Sequence, residues 1–498
     1  MANPSLQIGN SNWAIKEDNL LGYSTAGTRF VPQPITMTRA SAGTRVNSSG
    51  LVETVELLGS EEVTDGGFPS GTTAWSFGAG WSLGTNKAER LVAASSTDLV
   101  QASVFPNLTS TFQISFDIEA SAGSVRARLG QTNLAYVGQG SYVLYGVPSG
   151  NDQLKFQADS SFVGSITNIS VKESTKNNLA RVDYDGTASS LLVEPERTNL
   201  VTYSSDFSQW SEIEGALVTS NSVISPSGET NSDKFTFDGT TYGRVEKNIA
   251  VTNGNTYTFS VYLKNNNLSD VTQVWLGFSM GGQGEFVTIT NEWQRYETVQ
   301  VANGSNEYPR VQFTGTGSLY AWGAQMEEGS YPTSYIKTSG STVTRNQETY
   351  TKTGISDKIN SEEGVLFAEM AALSNDGTIR YLSINDGTSN NRVTFLYYSS
   401  NTNIRVIVSS GGTNVMDKNS GVSSTLDFHK VAIKWKENDF AFWLDGVKVQ
   451  TDTSGLAPIG LNTLSFDVAG SGNFFGKVKQ LQVFKTALSD SELVTLTT

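Results

Sequence analysis

The sequence predicts an all-β protein built from tandem β-sandwiches that follow an irregular N-terminal segment. Only 16% of the 498 residues are charged, whereas the 48 glycines and the abundant serine, threonine and asparagine are typical of short strands joined by many turns. Several segments alternate between apolar and polar residues, most clearly Phe112 to Glu119. At about 150 residues per domain, the chain has room for about three domains.

Charge and residue inventory exclude several classes of function. The formal net charge is −14 and no stripe of lysine or arginine interrupts it, so nucleic acid is excluded as a partner. With no cysteine and a single histidine, His429, the chain has no disulfides, zinc–thiolate sites or histidine-based triads. We see no secretory signal and no apolar run near the ~20 residues of a membrane span. We therefore expect a soluble protein made in a cytoplasm, without membrane insertion and without a cofactor.

The stretch from Ser190 to Trp210 is the most specific in the chain. Its apolar beginning predicts a strand that ends at Glu194-Pro195, because proline lacks an N–H and pushes the preceding residue out of the helical region. Turn-forming residues follow from Ser204 onward. The stretch resembles a motif of structural and receptor-binding proteins of tailed bacteriophages. Residues 38–55 resemble the usual upstream partner of that motif.

The spacing of these motifs indicates an insertion. In the phage proteins an Arg-x-Asp-Tyr segment follows the upstream partner shortly, but here its counterpart, Arg181 to Tyr184, comes only after a stretch as long as a typical domain. The resemblance implies an inserted domain at 56–175, and an N-terminal attachment segment at 1–55 that is completed by 176–198. The order of strands in the insertion resembles jelly-roll carbohydrate-binding modules.

Residues 199–336 repeat the same plan, which predicts a second jelly roll. Tyr257 to Lys264 supplies its alternating strand, and Leu319 to Gly329 supplies its closing strand. The string from Trp322 to Ile336 is again similar to phage proteins that carry this module.

A linker and a third sandwich complete the predicted chain. Residues 337–355 hold few apolar residues and predict a linker. Residues 356–498 resemble laminin-G-like, concanavalin-A-type sandwiches, with a hairpin turn at Asp445-Gly446 and a short final helix capped by Ser489 and Glu492. Such relatives often bind calcium, but Asp386 and Asp467 lack a recognisable ligand spacing, so we predict no metal.

One strand resembles a catalytic motif. Ser115 to Glu119 is similar to the strand of laminarinase-type glycoside hydrolases, where alternation points two carboxylates, here Asp117 and Glu119, to one face. Ser115 stands where the nucleophile would be. We therefore predict an ordinary solvent-facing pair and no catalytic residue.

Two further carboxylate groups have a structural explanation. Glu194 and Glu196 flank a proline beside Arg197, which predicts an ion-paired clasp between modules. The Glu327-Glu328 pair is explained in the same way, with Arg310 as its partner.

Sugar binding requires only an aromatic face with polar side chains around it. Alternation places Tyr262 and Lys264 on the outward side of one strand, and Gln273 and Trp275 on the outward side of another. We predict that these four residues share an open sheet face that holds a glycan. The alternative is that a neighbouring chain or domain covers the aromatic residues. Trp443 is a further candidate of the same kind.

The resemblance implies a non-enzymatic virion surface protein of a tailed phage, a head or tail fibre or adhesin that attaches to host-surface carbohydrate. Its expected partners are other virion proteins, a host glycan and further copies of itself in a homotrimer. One alternative is a purely structural capsid decoration or fibre shaft. A second is a depolymerase that cuts a surface polysaccharide.

Overall fold

The computed structural model describes residues 2–10, 13–16, 19–26, 29–240, 242–266, 271, 273–278, 284–398 and 402–498, without the side chains of 14–34. Nearly all of their regular secondary structure is β-strand, with one short α-helix, so the predicted all-β class is confirmed. The chain divides into two compact units, one of residues 1–55 with 177–498 and one of residues 56–176. The predicted insertion ends one residue earlier than the second unit.

The N-terminal segment was predicted to be irregular, but it consists mainly of strands. They are β1 (Leu6–Gly9), β2 (Ala14–Lys16), β3 (Asn19–Ala26), β4 (Arg29–Thr38), β5 (Thr44–Val46) and β6 (Val52–Thr54). β3 and β4 form a hairpin, and β5 pairs with β6. Two of its strands also pair with distant ones, β1 with the strand Gly476–Phe484 and β4 with the strand Thr349–Lys352, and such partners cannot be read from the local sequence.

The unit of residues 56–176 is a sandwich of two antiparallel sheets. Its strands are β7 (Leu57–Glu61), β8 (Ser76–Phe77), β9 (Ser82–Gly84), β10 (Lys87–Arg90), β11 (Thr97–Gln101), β12 (Phe112–Ala122), β13 (Val125–Leu129), β14 (Thr132–Val137), β15 (Gly140–Gly146), β16 (Leu154–Ala158) and β17 (Val163–Thr175). One sheet has the order β15-β12-β17-β10-β9, with β7 also paired to β17, and the other has the order β14-β13-β16-β11-β8. Phe112, Phe116 and Phe156 pack between them.

The other unit contains a second sandwich of the same kind. The chain enters it through β18 (Arg181–Asp185), β19 (Ala188–Val193) and β20 (Arg197–Asn199), and a 3-10 turn at Phe207–Gln209 follows. The next strands are β21 (Ser211–Ile213), β22 (Ala216–Ile224), β23 (Thr230–Asp238), β24 (Gly243–Glu246), β25 (Ile249–Ala250), β26 (Thr256–Asn265), β27 (Gln273–Gly277), β28 (Gly284–Thr288), β29 (Gln294–Val301), β30 (Asn306–Glu307), β31 (Arg310–Phe313) and β32 (Thr316–Glu328). The two sheets have the orders β22-β23-β32-β26-β29 and β21-β24-β31-β27-β28.

The segment predicted as a linker, 337–355, contains two strands, β33 (Val343–Arg345) and β34 (Thr349–Lys352). β33 pairs with β20 and β34 pairs with β4. Arg345, Glu348 and Tyr350 are each only 1% exposed. The segment includes two buried, ion-paired charges, Arg345 and Glu348, and a polar composition alone does not distinguish such a segment from a solvated linker.

The last part of the chain forms a third sandwich. Its strands are β35 (Glu363–Ala372), β36 (Arg380–Asn385), β37 (Arg392–Tyr397), β38 (Asn403–Ser410), β39 (Thr413–Gly421), β40 (His429–Lys436), β41 (Phe440–Leu444), β42 (Val447–Asp452), β43 (Thr463–Ser465) and β44 (Gly476–Phe484), and helix α1 (Asp490–Thr497) ends it. One sheet runs β42-β41-β40-β35-β44 and continues to β1 and β19. The other runs β39-β38-β37-β36-β43-β34-β4-β3. The N-terminal strands thus complete this sandwich.

Two local predictions in the third sandwich are confirmed. Asp445 and Gly446 have φ values of 47° and 79°, the positive angles that a two-residue turn of the primed type requires. Ser489 and Glu492 form a capping box at the start of α1.

Candidate functional site

The four residues predicted to form one sugar-binding face lie on two different sheets. Tyr262 and Lys264 belong to β26, which pairs with β29 and β32. Gln273 and Trp275 belong to β27, which pairs with β28 and β31. Because β26 and β27 lie in opposite sheets of the sandwich, their outward side chains point in opposite directions. The prediction of a shared face is therefore wrong.

Tyr262 lies in a covered aromatic cluster and not on an open face. Its ring meets Trp322 edge-on with centroids 5.5 Å apart, and the Arg295 guanidinium lies 5.6 Å from its centre. Val46 and Val52 of the N-terminal segment pack against the same cluster. Burial raises the pKa of Tyr262. These contacts correspond to the alternative explanation, in which another part of the protein covers the aromatic residue.

Trp275 and Gln273 do share an outward face on the other sheet. Trp275 is half-buried and lies directly opposite Phe286 on β28 and Gln312 on β31. Phe286 is 67% exposed. Gly284 lies beneath the indole, where a Cβ atom would come within 2.3 Å of Cζ2 of Trp275. The absence of a side chain at 284 lets the indole lie against the sheet, and strand register places Phe286 on the same face, directly opposite Trp275.

Trp275, Gln273, Phe286 and Gln312 together form what we call the Trp275 face. A buried ion network borders it. The Oε2 atom of Glu246 lies 3.0 Å from Nε of Arg244 and 3.3 Å from Nη2 of Arg310. The Arg310 guanidinium lies 6.0 Å from the centre of the Trp275 ring. The predicted partner of Glu327 and Glu328 was Arg310, but Arg310 pairs with Glu246, because β24 and β31 are neighbours in this sheet. Phe286 and Gln312 could not be identified from the sequence, since only the strand register shows that they flank Trp275.

Trp443 points to the outer face of its sheet, as alternation predicts, but it is only 4% exposed. It packs in a cluster with Leu488 and with Leu493 of α1. Helix α1 thus covers Trp443, which was a candidate sugar-binding residue in the sequence. The sequence predicted the helix but not its position on the sheet.

The Asp117–Glu119 pair lies on an outward sheet face. Hydrogen bonds from the side chains of Ser141 and Asn168 hold the pKa of Asp117 below its usual value. The Glu119 side chain is 80% exposed, and its nearest cation is Lys87 at 3.9 Å. A general acid requires a raised pKa, so Asp117 does not have the environment of one.

Glu194 forms an ionic clasp, but with partners other than Arg197. Its Oε2 atom lies 2.7 Å from Nη1 of Arg181 and 2.8 Å from Nη1 of Arg345, and Ser334 donates to both of its carboxylate oxygens. Arg197 instead lies 3.8 Å from Glu327. Arg181 lies across the β18–β19 hairpin from Glu194 and Arg345 lies in β33, so proximity along the chain suggested the wrong partner.

Comparisons with known proteins give no family assignment. No family model matches the chain, and no curated protein is similar to it in sequence. Among solved structures, the tandem CBM22-1–CBM22-2 domains of Paenibacillus barcinonensis Xyn10C align with 54% of this chain and 98% of their own, at 13% identity and a TM-score of 0.21. Trypanosoma rangeli sialidase in complex with sialic acid aligns with 96% of this chain and 88% of its own, at 10% identity and a TM-score of 0.23. Superpositions this loose carry no argument about function.

In the described part of the chain, no helix combines the length and the apolar character required to cross a membrane. Within the same residues no group of three or more histidine, aspartate or glutamate side chains is placed to hold a metal ion. Asp386, considered above as a calcium ligand, accepts hydrogen bonds from Thr388 and Asn391.

Proposed function

We propose that this chain is a non-enzymatic virion surface protein of a tailed phage and that it attaches to host-surface carbohydrate. The sequence motifs at 38–55 and 190–210 support the phage assignment. The face of β27, β28 and β31 supports the binding activity, and the observation on which that activity rests is the register that places Trp275 directly opposite the exposed Phe286.

The chemistry of this face suits a sugar ring. The C–H face of a pyranose stacks on aromatic rings, while its hydroxyl groups bind planar amides and charged groups at the edge. Gln312 lies directly beside Trp275, and Gln273 is exposed on the same side of β27. The strand pairing fixes these groups before a ligand arrives, which lowers the entropic cost of binding.

A single open face of this kind binds weakly. In a homotrimer carried in many copies on one particle, simultaneous contacts raise the effective affinity by orders of magnitude, on the order of 10² to 10⁴. Attachment therefore does not require a deep pocket.

A glycan array probed with the full chain, followed by calorimetry on its best ligand, tests the proposal. We expect Trp275→Ala and Phe286→Ala each to weaken binding about tenfold or more, since truncation of a central aromatic contact costs upwards of ~1.4 kcal/mol. Leu217→Ala is the matched control, because Leu217 is 55% exposed and belongs to β22 in the opposite sheet. Unchanged affinity in both aromatic variants would refute the assignment of the site.

The structural alternative has one specific observation in its favour. A phenylalanine as exposed as Phe286 often marks a contact between proteins. If this face joins subunits, Phe286→Ala will dissociate the oligomer in light-scattering measurements and leave glycan binding unchanged. The attachment proposal expects the opposite result.

A further inference from the structure

A second polar face lies in the unit of residues 56–176, on the outward side of the sheet β14-β13-β16-β11. Strand register places four of its side chains in one row across the sheet, namely Tyr136, Arg126, Gln157 and Asp98. A second row contains Asn133, Arg128, Lys155 and Val100. We call these eight residues the Arg126 face. The inward residues between them, such as Leu129 and Phe156, are buried in the core.

Contacts within the first row hold its planar groups in place. The Arg126 guanidinium carbon lies 4.7 Å from the centre of the Tyr136 ring. Nε and Nη2 of Arg126 donate to Oε1 of Gln157 at 2.8 and 2.5 Å. The amide nitrogen of Gln157 and Nη1 of Arg126 donate to no other group among the described residues, so both stay available to a ligand. Tyr136 remains 43% exposed.

The second row contributes positive charge that its neighbours only partly neutralise. Nη1 of Arg128 lies 3.5 Å from Oδ2 of Asp98. Nε of Arg128 and Oδ1 of Asp98 are buried and have no hydrogen-bond partner among the residues that the structure describes. Lys155 stands opposite Arg128 in the sheet, and it forms no ion pair with any described residue. Buried polar atoms without a partner are rare, and they mark places where a ligand or water completes the hydrogen bonding.

The charge of this face is opposite to that of the protein as a whole. Its three cations, Arg126, Arg128 and Lys155, outnumber its one carboxylate, Asp98, whereas the chain has a formal net charge of −14. An anionic ligand is repelled by most of the surface and attracted here.

We infer that the Arg126 face is a second saccharide site and that it binds a sugar carrying a carboxylate, as the uronic acids of acidic polysaccharides do. Arg126 and Lys155 bind the carboxylate through charge-assisted hydrogen bonds. The amide nitrogen of Gln157 donates to sugar hydroxyls, the Asp98 carboxylate accepts from them, and the exposed part of Tyr136 lies against the ring. This site goes beyond the proposed one, since it lies in the other unit and shares no residue with the Trp275 face.

Calorimetry of the full chain with tri-galacturonate and with its fully methyl-esterified form tests this inference. The two probes offer the same ring surface, but only the first is charged. We expect the acid to bind about tenfold or more tightly than the ester, and its affinity to fall as salt is added. Equal affinity for the two forms, or no binding of the acid, would overturn the inference.

A pair of charge-removing variants locates the site. Lys155→Gln should weaken binding of tri-galacturonate about tenfold. Lys172→Gln is the matched control, because Lys172 is a half-buried lysine of β17 in the opposite sheet, and it should bind as the parent chain does. Tyr136→Ala should weaken both probes, whereas Trp275→Ala should affect neither. If Lys155→Gln binds like the parent chain, the inference is wrong, whatever the outcome at Trp275. If an acidic protein binds the Arg126 face and tri-galacturonate does not, the face is a protein contact and the inference is wrong.

Discussion

Arg181 and Glu348 form a two-point ion pair in which Nε and Nη2 of the arginine lie 2.7 and 2.7 Å from the two carboxylate oxygens. Both side chains have 0% exposure. Arg39 also contacts Glu348, and Glu194 bridges Arg181 to Arg345. Five charges from three parts of the chain that are distant in sequence, namely residue 39, residues 181–194 and residues 345–348, are thus buried together. In such a network each group depends on the others, because an unpaired charge cannot regain its hydration.

Loss of one carboxylate should therefore be costly. We expect Glu348→Gln to lower the free energy of unfolding by about 3–5 kcal/mol, since Arg39 then loses its carboxylate partner in the interior and Arg181 keeps only Glu194, which it shares with Arg345. Urea unfolding followed by tryptophan fluorescence measures the change. Asp417→Asn is the control, because Asp417 pairs with Arg405 near the surface, where its loss should cost about 1 kcal/mol or less. Equal losses in the two variants would contradict the assigned role of the network.

The network also predicts sensitivity to acid. Burial by itself would raise the pKa of Glu348, but Arg181 and Arg39 outweigh it and hold the pKa below its usual value. Burial would likewise raise the pKa of Glu194, but the charges of Arg345 and Arg181 outweigh it. The pKa of Glu194 is therefore also lowered. A carboxyl group whose pKa is lower in the folded state contributes stability above its unfolded pKa, about 4.3, and loses it as the pH falls below that value.

We therefore expect the urea midpoint to fall between about pH 5 and about pH 3. Glu194→Gln should have a lower urea midpoint at neutral pH. Its midpoint should also fall less on acidification, because one of the carboxyl groups with a lowered pKa is gone. If this variant loses as much stability on acidification as the parent chain, Glu194 does not carry the effect.

The environment of Asp117 predicts that host capsule is not cleaved. Because its pKa is lowered, Asp117 is ionised at neutral pH and has no proton to give a leaving group. Incubation of capsule with the chain should release no new reducing ends. The double variant Asp117→Asn with Glu119→Gln is the matched control and should give the same signal. Release that disappears in this variant would establish the depolymerase alternative.

The docking of helix α1 against its sheet should depend on Leu493. Leu493 is fully buried against the cluster that contains Trp443, so Leu493→Ala should cost about 2–5 kcal/mol through the cavity it leaves. The neighbouring Val494→Ala should cost well under 1 kcal/mol, since Val494 is 40% exposed. Calorimetric melting temperatures compare the two variants. The helix would not be docked as described if both melt like the parent chain.

Strand alternation was readable from the sequence because it is local. By placing Tyr262 and Lys264 outward, alternation puts Tyr257, Phe259, Val261 and Leu263 on the core side of the same strand, and all four belong to the core of the second sandwich. By placing Gln273 and Trp275 outward, it puts Val274, Leu276 and Phe278 on the core side of the next strand, and these three belong to the same core. Each of these results follows from the two-residue period of an extended backbone, which requires no knowledge of the rest of the chain.

The sequence by itself thus determined the all-β class, the inward side of individual strands, the Asp445-Gly446 turn and the capped final helix. Only the tertiary structure decided which sheet each strand joins, and therefore that Tyr262 and Trp275 face opposite ways, that α1 covers Trp443 and that Glu194 pairs with Arg181 and Arg345. The physical reason is the separation along the sequence over which the interactions act. Turns, caps and alternation depend on neighbouring residues, whereas sheet order and buried ion pairs are fixed by contacts between segments far apart in sequence, which no local pattern encodes.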